Sequence, residues 1–288
     1  MKISVIIVAY INSEVLVKCL KSIEKYNDIG ECLEVIIVDN SPAEKRVEKA
    51  IIENGCKFTK YIPADNKGFG AGNNIGASYA TGNILAFLNP DIILIQPIFS
   101  KVQKHFESNT NLALLGGKLL YENLSPAFSF YYDYKIGLIY KWSIKLWNKL
   151  NIFNHRSMFI SGANLFIRSE IFEEAGKFDE NIFMYYEESD LTRRIKKCSK
   201  QEIKFDKNLK MIHLERKGSP VSPQMVNYEI NSSIYYAKKH HLDYKKKLKF
   251  ELRYLKIKIF IYQLLNKSRV HYFETITNEY KKTIQALS

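Results

Sequence analysis

Between residues 3 and 88 the chain alternates short apolar runs with stretches of helical spacing, and this constrains the fold more than any other feature. Residues 3–9 form a largely β-branched apolar run. Asn12-Ser13-Glu14 follow, then apolar residues at Val15, Leu16, Cys19, Leu20 and Ile23. A strand, a cap and an amphipathic helix are predicted in that order. The pattern recurs with a strand over 33–38, broken only by Glu34, a helix over 43–53, a strand over 57–62, a helix over 71–80 and a strand over 84–88. Largely apolar strands separated by helices imply a mostly parallel sheet covered on both faces.

Such sheets bind ligands beyond the carboxyl ends of their strands. Polar residues stand at those ends: Asp39-Asn40-Ser41, Asp65-Asn66-Lys67-Gly68 and Asn89-Pro90-Asp91. Between Asn66 and Gly76 the segment NKGFGAGNNIG leads four glycines into a helix. These glycines either turn the chain or present backbone N–H groups to an anionic ligand. The segment matches neither G-x-G-x-x-G nor G-x-x-x-x-G-K-[ST], which counts against a Rossmann dinucleotide site and a P-loop.

The length of 288 residues suits one α/β domain with an appendage, and 46% apolar with 25% charged residues excludes a disordered, collagen-like or coiled-coil chain. Cys19, Cys32, Cys56 and Cys198 contain no C-x-x-C pair, so they read as reduced cytosolic thiols rather than a disulfide framework or thiolate metal site. No apolar run reaches the ~18 to 20 residues that span a bilayer. The opening MKISVIIVAY runs into Asn12 without a small-residue cleavage site, as a buried strand does and a signal peptide does not.

Past Asp91 a helix is expected near 97–108 and a strand near 112–117. Residues 128–150, FSFYYDYKIGLIYKWSIKLWNKL, are crowded with rings and lysines. They suit a core helix first, and their ring and lysine content also suits a membrane-interface or acceptor-facing flap. Residues 161–198 gather acidic and aromatic side chains more densely than a plain solvated face.

VIIVAY, VIIVDNS, NKGFGAGNNIG, ILAFLNPD, SGANLFIR, FDENIFMYYEESDL and the isolated His213 occur in order from Ile3 to about Ser219. In this order they resemble the family 2 glycosyltransferases of GT-A fold, especially the bacterial rhamnosyltransferase-like branch. The resemblance implies a Rossmann-like, mostly parallel sheet with helices on both faces over residues 1–220, followed by a basic helical extension over 221–288. It also implies inverting transfer of a sugar, rhamnose or another hexose, from a UDP- or dTDP-sugar. The acceptor would be a hydroxyl of a cell-surface glycan or lipid-linked oligosaccharide.

By the same resemblance Ala9, Tyr10, Asp39, Asn66 and Gly68 bind the nucleotide, with Gly68 letting the backbone approach the ligand. Asn89 and Asp91 occupy the ends of the family's D-x-D motif, leaving one carboxylate where two are often found. Asp91 and His213 would hold Mg²⁺ or Mn²⁺, because charge builds on the departing diphosphate. Glu188 would be the base that takes the acceptor's proton. Glu187 and Asp190 would support it or contact the acceptor.

The net charge is +13, of which residues 235–288 carry +9 through thirteen basic and four acidic residues. Leu248, Leu252, Leu255, Ile259 and Tyr262 recur at helical spacing beside Lys245, Lys249, Arg253 and Lys256. This basic amphipathic helix either lies on an anionic membrane, placing the protein at the inner face of the cytoplasmic membrane, or packs on the catalytic domain. A nucleic-acid-binding role for the tail is the first rival, and it leaves the strand-end acidic residues unexplained. A sugar nucleotidyltransferase is the second. It would carry a glycine-rich, Arg-containing loop after the first strand, where this chain has AYINSE.

Overall fold

The computed structural model describes residues 1–198, 201–214, 222–265 and 270–287. The end of the motif series at Ser219 and the boundary expected at 220/221 lie outside the described residues. The strands are β1 (Ile3–Ala9), β2 (Leu33–Asp39), β3 (Lys60–Pro63), β4 (Ile84–Leu88), β5 (Ile92–Leu94), β6 (Leu112–Leu120), β7 (Phe130–Tyr132), β8 (Met158–Ile160), β9 (Asn164–Arg168) and β10 (Glu202–His213). The helices are α1 (Ser13–Lys25), α2 (Glu48–Glu53), α3 (Phe69–Ser78), α4 (Phe99–Ser108), α5 (Leu138–Leu150), α6 (Ser169–Glu174), α7 (Glu187–Cys198), α8 (Pro223–Lys239), α9 (Tyr244–Leu264) and α10 (Val270–Ala286).

Eight strands form one sheet in the order β3-β2-β1-β4-β9-β6-β10-β5. The first four are parallel, and β9 enters antiparallel between β4 and β6. Alternate residues of β1 feed two cores. Ile3, Val5 and Ile7 pack toward α1, α2 and α4, while Ile6 joins the cluster under α6 and α7. Burial on both faces is what a run of β-branched residues without polar alternation requires.

The expected helix over 43–53 is instead a 3₁₀ turn at Ala43–Lys45 followed by α2. Asp39 interrupts it by accepting the backbone N–H of Val47 at 2.8 Å. The third strand begins at Lys60 rather than 57, because the Thr59 hydroxyl already accepts the N–H of Val35. Helix α3 starts earlier than expected, at Phe69, and the last strand, β10, runs over twelve residues. A bulge between Asp206 and Lys210 breaks the alternation that would have marked β10 as one strand.

The C-terminal helices form their own core. Val226, Ile230, Phe273 and Tyr280 surround Leu248 and Leu255, with Leu252, Ile259 and Tyr262 packed against them. The apolar stripe expected on α9 is therefore spent within the protein. No helix among the described residues is long and apolar enough to cross a membrane.

Candidate active site

Strand register builds one wall of the main cavity. Antiparallel pairing of β5 with β10 sets Ile92 opposite His213, so Asp91 falls beside the histidine. Asp91 Oδ1 lies 3.2 Å from His213 Nε2, and the N–H of Leu214 donates to the Asp91 carbonyl at 3.0 Å. Asn89 is held where β4 meets the turn before β9, its N–H donating to the Ala163 carbonyl. Asn89 Oδ1 is buried without a hydrogen-bond partner. Asn89, Asp91 and His213 line a cavity of about 730 Å³ together with Glu187 and Glu188.

These donors fit a divalent ion. One carboxylate, one imidazole and an orphaned amide oxygen suit Mn²⁺ or Mg²⁺, leaving positions for phosphate oxygens and water. Among the described residues no group of three or more His, Cys, Asp or Glu could enclose a metal by itself. An ion here would depend on a ligand that brings further oxygens.

The carboxylates sit in the first turn of α7, and that turn is fixed from behind. Asp133 accepts from Ser189 at 3.1 Å, from Arg193 at 2.7 Å and from the Tyr236 hydroxyl of α8. Tyr185 and Tyr186, just before the helix, both hold positive φ, at 68° and 74°. Two adjacent non-glycine residues in that region mark a conformation sustained by its surroundings. Burial pushes the Glu188 carboxyl above its ordinary value against hydrogen bonds from its own N–H and that of Gly162, the latter at 3.2 Å. Burial and the Glu188 charge push Glu187 well above it too. Adjacent carboxyls in a poorly solvated cleft resist joint ionisation.

Asp190 is fully buried and does not line the cavity, contrary to a direct acceptor contact. Two residues past Glu188 on a helix lies ~200° round the axis, facing away. There Asp190 pairs with Arg194 and His240, each at 2.7 Å, and with Lys239 at 2.8 Å.

The expected nucleotide residues lie apart from this cavity. Asp39 is fully buried; Ser41 and Val47 donate backbone N–H groups to it and Tyr61 its hydroxyl. Burial would raise its pKa, yet those hydrogen bonds hold it below the ordinary value. Ala9 closes β1 as a buried residue, Tyr10 is exposed, and Asn66 is exposed with its side chain accepting the Gly68 N–H. Ile11, between Tyr10 and Asn12, holds φ 62° and donates its N–H to Ser41.

Gly68 is packed closely against the protein's own backbone. Its φ is 105°, and a Cβ there would clash with the Phe183 carbonyl, to which Phe69 donates its N–H at 2.9 Å. Asn74 reinforces this seam with two hydrogen bonds to the backbone of Phe178. The glycine-rich segment thus docks α3 against the strip leading to Glu187 and Glu188.

Sequence reasoning marked the aromatic segments 128–150 and 161–198 that supply the tyrosines of the far wall, but missed Glu229 and Lys247. Tyr132, Tyr134, Tyr185 and Tyr186 line this wall, joined by Glu229 of α8 and Lys247 of α9. Lys247 donates to the Tyr186 hydroxyl at 2.6 Å and lies 4.1 Å from the centre of the Tyr134 ring. Burial pushes the Lys247 ammonium down to about 8 despite nearby Glu251 and Glu229. Burial and Glu251 push Glu229 up. One lysine among many in a basic helix carries no mark in the sequence of being turned inward.

Residues 4–176 match the family described as Glycosyl transferase family 2. The chain is 31% identical over 136 residues to an uncharacterized glycosyltransferase of Bacillus subtilis, YfnE, covering 46% of this chain and 33% of that one. It is 28% identical over 207 residues to the low-salt glycan biosynthesis hexosyltransferase Agl10 of Haloferax volcanii, covering 68% of this chain and 62% of that one. The chain therefore spans a third of one relative's length and under two thirds of the other's. In fold it is similar to the mannosyltransferase PcManGT of Pyrobaculum calidifontis, solved with GDP-Man and Mn²⁺. The TM-score there is 0.61 at 12% identity, over 97% of this chain and 84% of that one.

Proposed function

The chain belongs to glycosyl transferase family 2, its fold is of GT-A type, and from that premise we propose that it is an inverting, metal-assisted hexosyltransferase. The observation that carries this reading is the convergence of Asp91 and His213 with the Glu187–Glu188 pair in one cavity. Glu188 takes the acceptor hydroxyl's proton as its oxygen bonds to the anomeric carbon, and the diphosphate leaves from the opposite face. Its raised pKa makes it a stronger base once ionised. A divalent ion held by Asp91, His213 and the Asn89 amide oxygen would neutralise charge on the diphosphate. Glu187 lies beside it in the first turn of α7, and Asp190 anchors α7 from behind.

The donor is a UDP- or dTDP-sugar, rhamnose or another hexose, with the nucleotide near Ala9, Tyr10 and Asn66 over the buried Asp39. The acceptor is a hydroxyl of a cell-surface glycan or lipid-linked oligosaccharide, and rings suit a sugar's apolar face. Residues 1–220 form the catalytic domain. The extension over 221–288 completes the acceptor wall through Glu229 and Lys247. The protein works on the cytoplasmic side of the membrane, at its surface. A panel of nucleotide sugars with Mn²⁺ or Mg²⁺, read by thermal stabilisation, tests the reading. A bound donor at a hundred times its Kd should add ~2.7 kcal/mol. Absence of stabilisation by every nucleotide sugar with either ion contradicts it.

A further inference from the structure

One helix leaves a large apolar face in water. On α5, Ile139, Trp142, Leu146 and Leu150 recur at three- and four-residue spacing, with Ile139 73% and Trp142 74% exposed. Folded proteins rarely leave such a stripe uncovered without an interaction to serve. Lys135, Lys145 and Lys149 are exposed beside it, and α5 contains no acidic residue. The remaining lysine, Lys141, pairs with Glu251 of α9 at 2.9 Å.

The opposite face is firmly seated, so the stripe is held outward. Asn148 accepts the Ser129 N–H at 2.7 Å and donates to the Phe130 carbonyl, while Lys118 donates to the Asn148 carbonyl. Ile144 is buried, and the Trp147 indole N–H donates to the Tyr132 hydroxyl at 2.8 Å. Tyr132 lines the catalytic cavity, so α5 stands one side chain from the aromatic wall.

We propose that α5 is an interfacial helix that seats the protein on an anionic lipid surface, with Trp142 at the centre of the inserted stripe. Charge selects this occupant: exposed lysines flank the apolar face, no carboxylate of the helix opposes them, and tryptophan favours the membrane interface. The stripe of α9 cannot fill this role, since Leu248 and Leu255 are buried in the C-terminal core. Delivery of a lipid-linked acceptor to the aromatic wall rests on the transferase reading. Vesicle binding involves no turnover, so the two ideas fail separately.

The chain has only two tryptophans, which makes the test direct. In the full chain carrying Trp147→Phe, the emission of Trp142 should shift to the blue with phosphatidylcholine–phosphatidylglycerol vesicles and be quenched by brominated lipid. Neutral phosphatidylcholine should give little of either, and added salt should weaken the effect. Trp142→Gln with Leu146→Gln should lower vesicle affinity at least about tenfold, both sites being exposed. Ile257, Phe260 and Leu264 form another exposed apolar group, at the end of α9, and their replacement by Gln should leave binding unchanged. An unshifted Trp142 overturns the proposal, as does binding carried by the α9 end instead. A dimer in solution split by the α5 substitutions also overturns it, because the face would then join two copies.

Discussion

The two walls of the cavity are built differently. Asn89, Asp91 and His213 sit at strand ends, where pairing of Ile92 with His213 fixes their separation. The tyrosines, Glu229 and Lys247 come from segments separated by more than a hundred residues and meet only through tertiary packing. The first wall is thus rigid and legible in short motifs, while the second can change partner chemistry by altering single helix positions. Under the proposed function, a rigid donor and metal side would face a variable acceptor side, an arrangement that lets one chemistry serve many acceptors.

The largest effect that could break this comparison belongs to the carboxylate between the walls. Glu188→Gln should lower turnover by roughly 10² to 10⁴ with donor affinity unchanged, measured by single-turnover kinetics and donor titration. If Glu187→Gln is the crippled variant and Glu188→Gln is active, the base is Glu187. The pH profile follows from the same group. As the proposed base Glu188 must act deprotonated, so activity should rise with pH through a value above the ~4.3 of an ordinary glutamate. An acidic limb at or below that value contradicts the assignment.

A smaller effect tests the far wall. Lys247→Met should raise the acceptor KM by about tenfold, the 1.4 kcal/mol scale of one charged contact, and leave donor affinity alone. Acceptor binding in the native protein should also weaken as pH passes about 8, where the buried ammonium loses its proton. Equal losses for donor and acceptor would dissolve the distinction between the walls.

The smallest effect is a control at the other end of the sheet. Glu34 accepts from Ser4 and Thr81, pairs with Lys2 and is held down to about 2, although burial alone would raise it. A depressed folded pKa stabilises above the unfolded value of ~4.3, and that stability fades as pH falls toward about 2. The Tm of the native chain should drop through this window more than that of Glu34→Gln, with both walls' kinetics unaffected at neutral pH. Parallel Tm curves for the two proteins would remove Glu34 from the account.

Legibility in sequence followed the range of the interactions. β1 and β4 lie where expected because central strands, buried on both faces, leave an unbroken apolar run. The helix expected over 43–53 failed because a single buried carboxylate, Asp39, recruited the N–H of Val47. Gly68 was noticed as a point of close backbone approach, but not that Phe183, more than a hundred residues further on, comes up against it. Lys247 and Glu229 could not be singled out, because helical periodicity marks a face and not what that face meets. The uncovered stripe of α5 was visible as an aromatic, lysine-rich segment, but only its exposure separates it from a core helix.

The proposed transfer depends on the pair formed by Asp91 and His213, and calorimetric titration of the preferred donor, with Mn²⁺ and with chelator, tests that dependence most directly. The native chain and Glu188→Gln should bind only with the ion present, and Asp91→Ala should lose both binding and ion dependence. Equal donor affinity with and without chelator in all three proteins would contradict the claim. So would donor binding lost in Glu188→Gln and kept in Asp91→Ala.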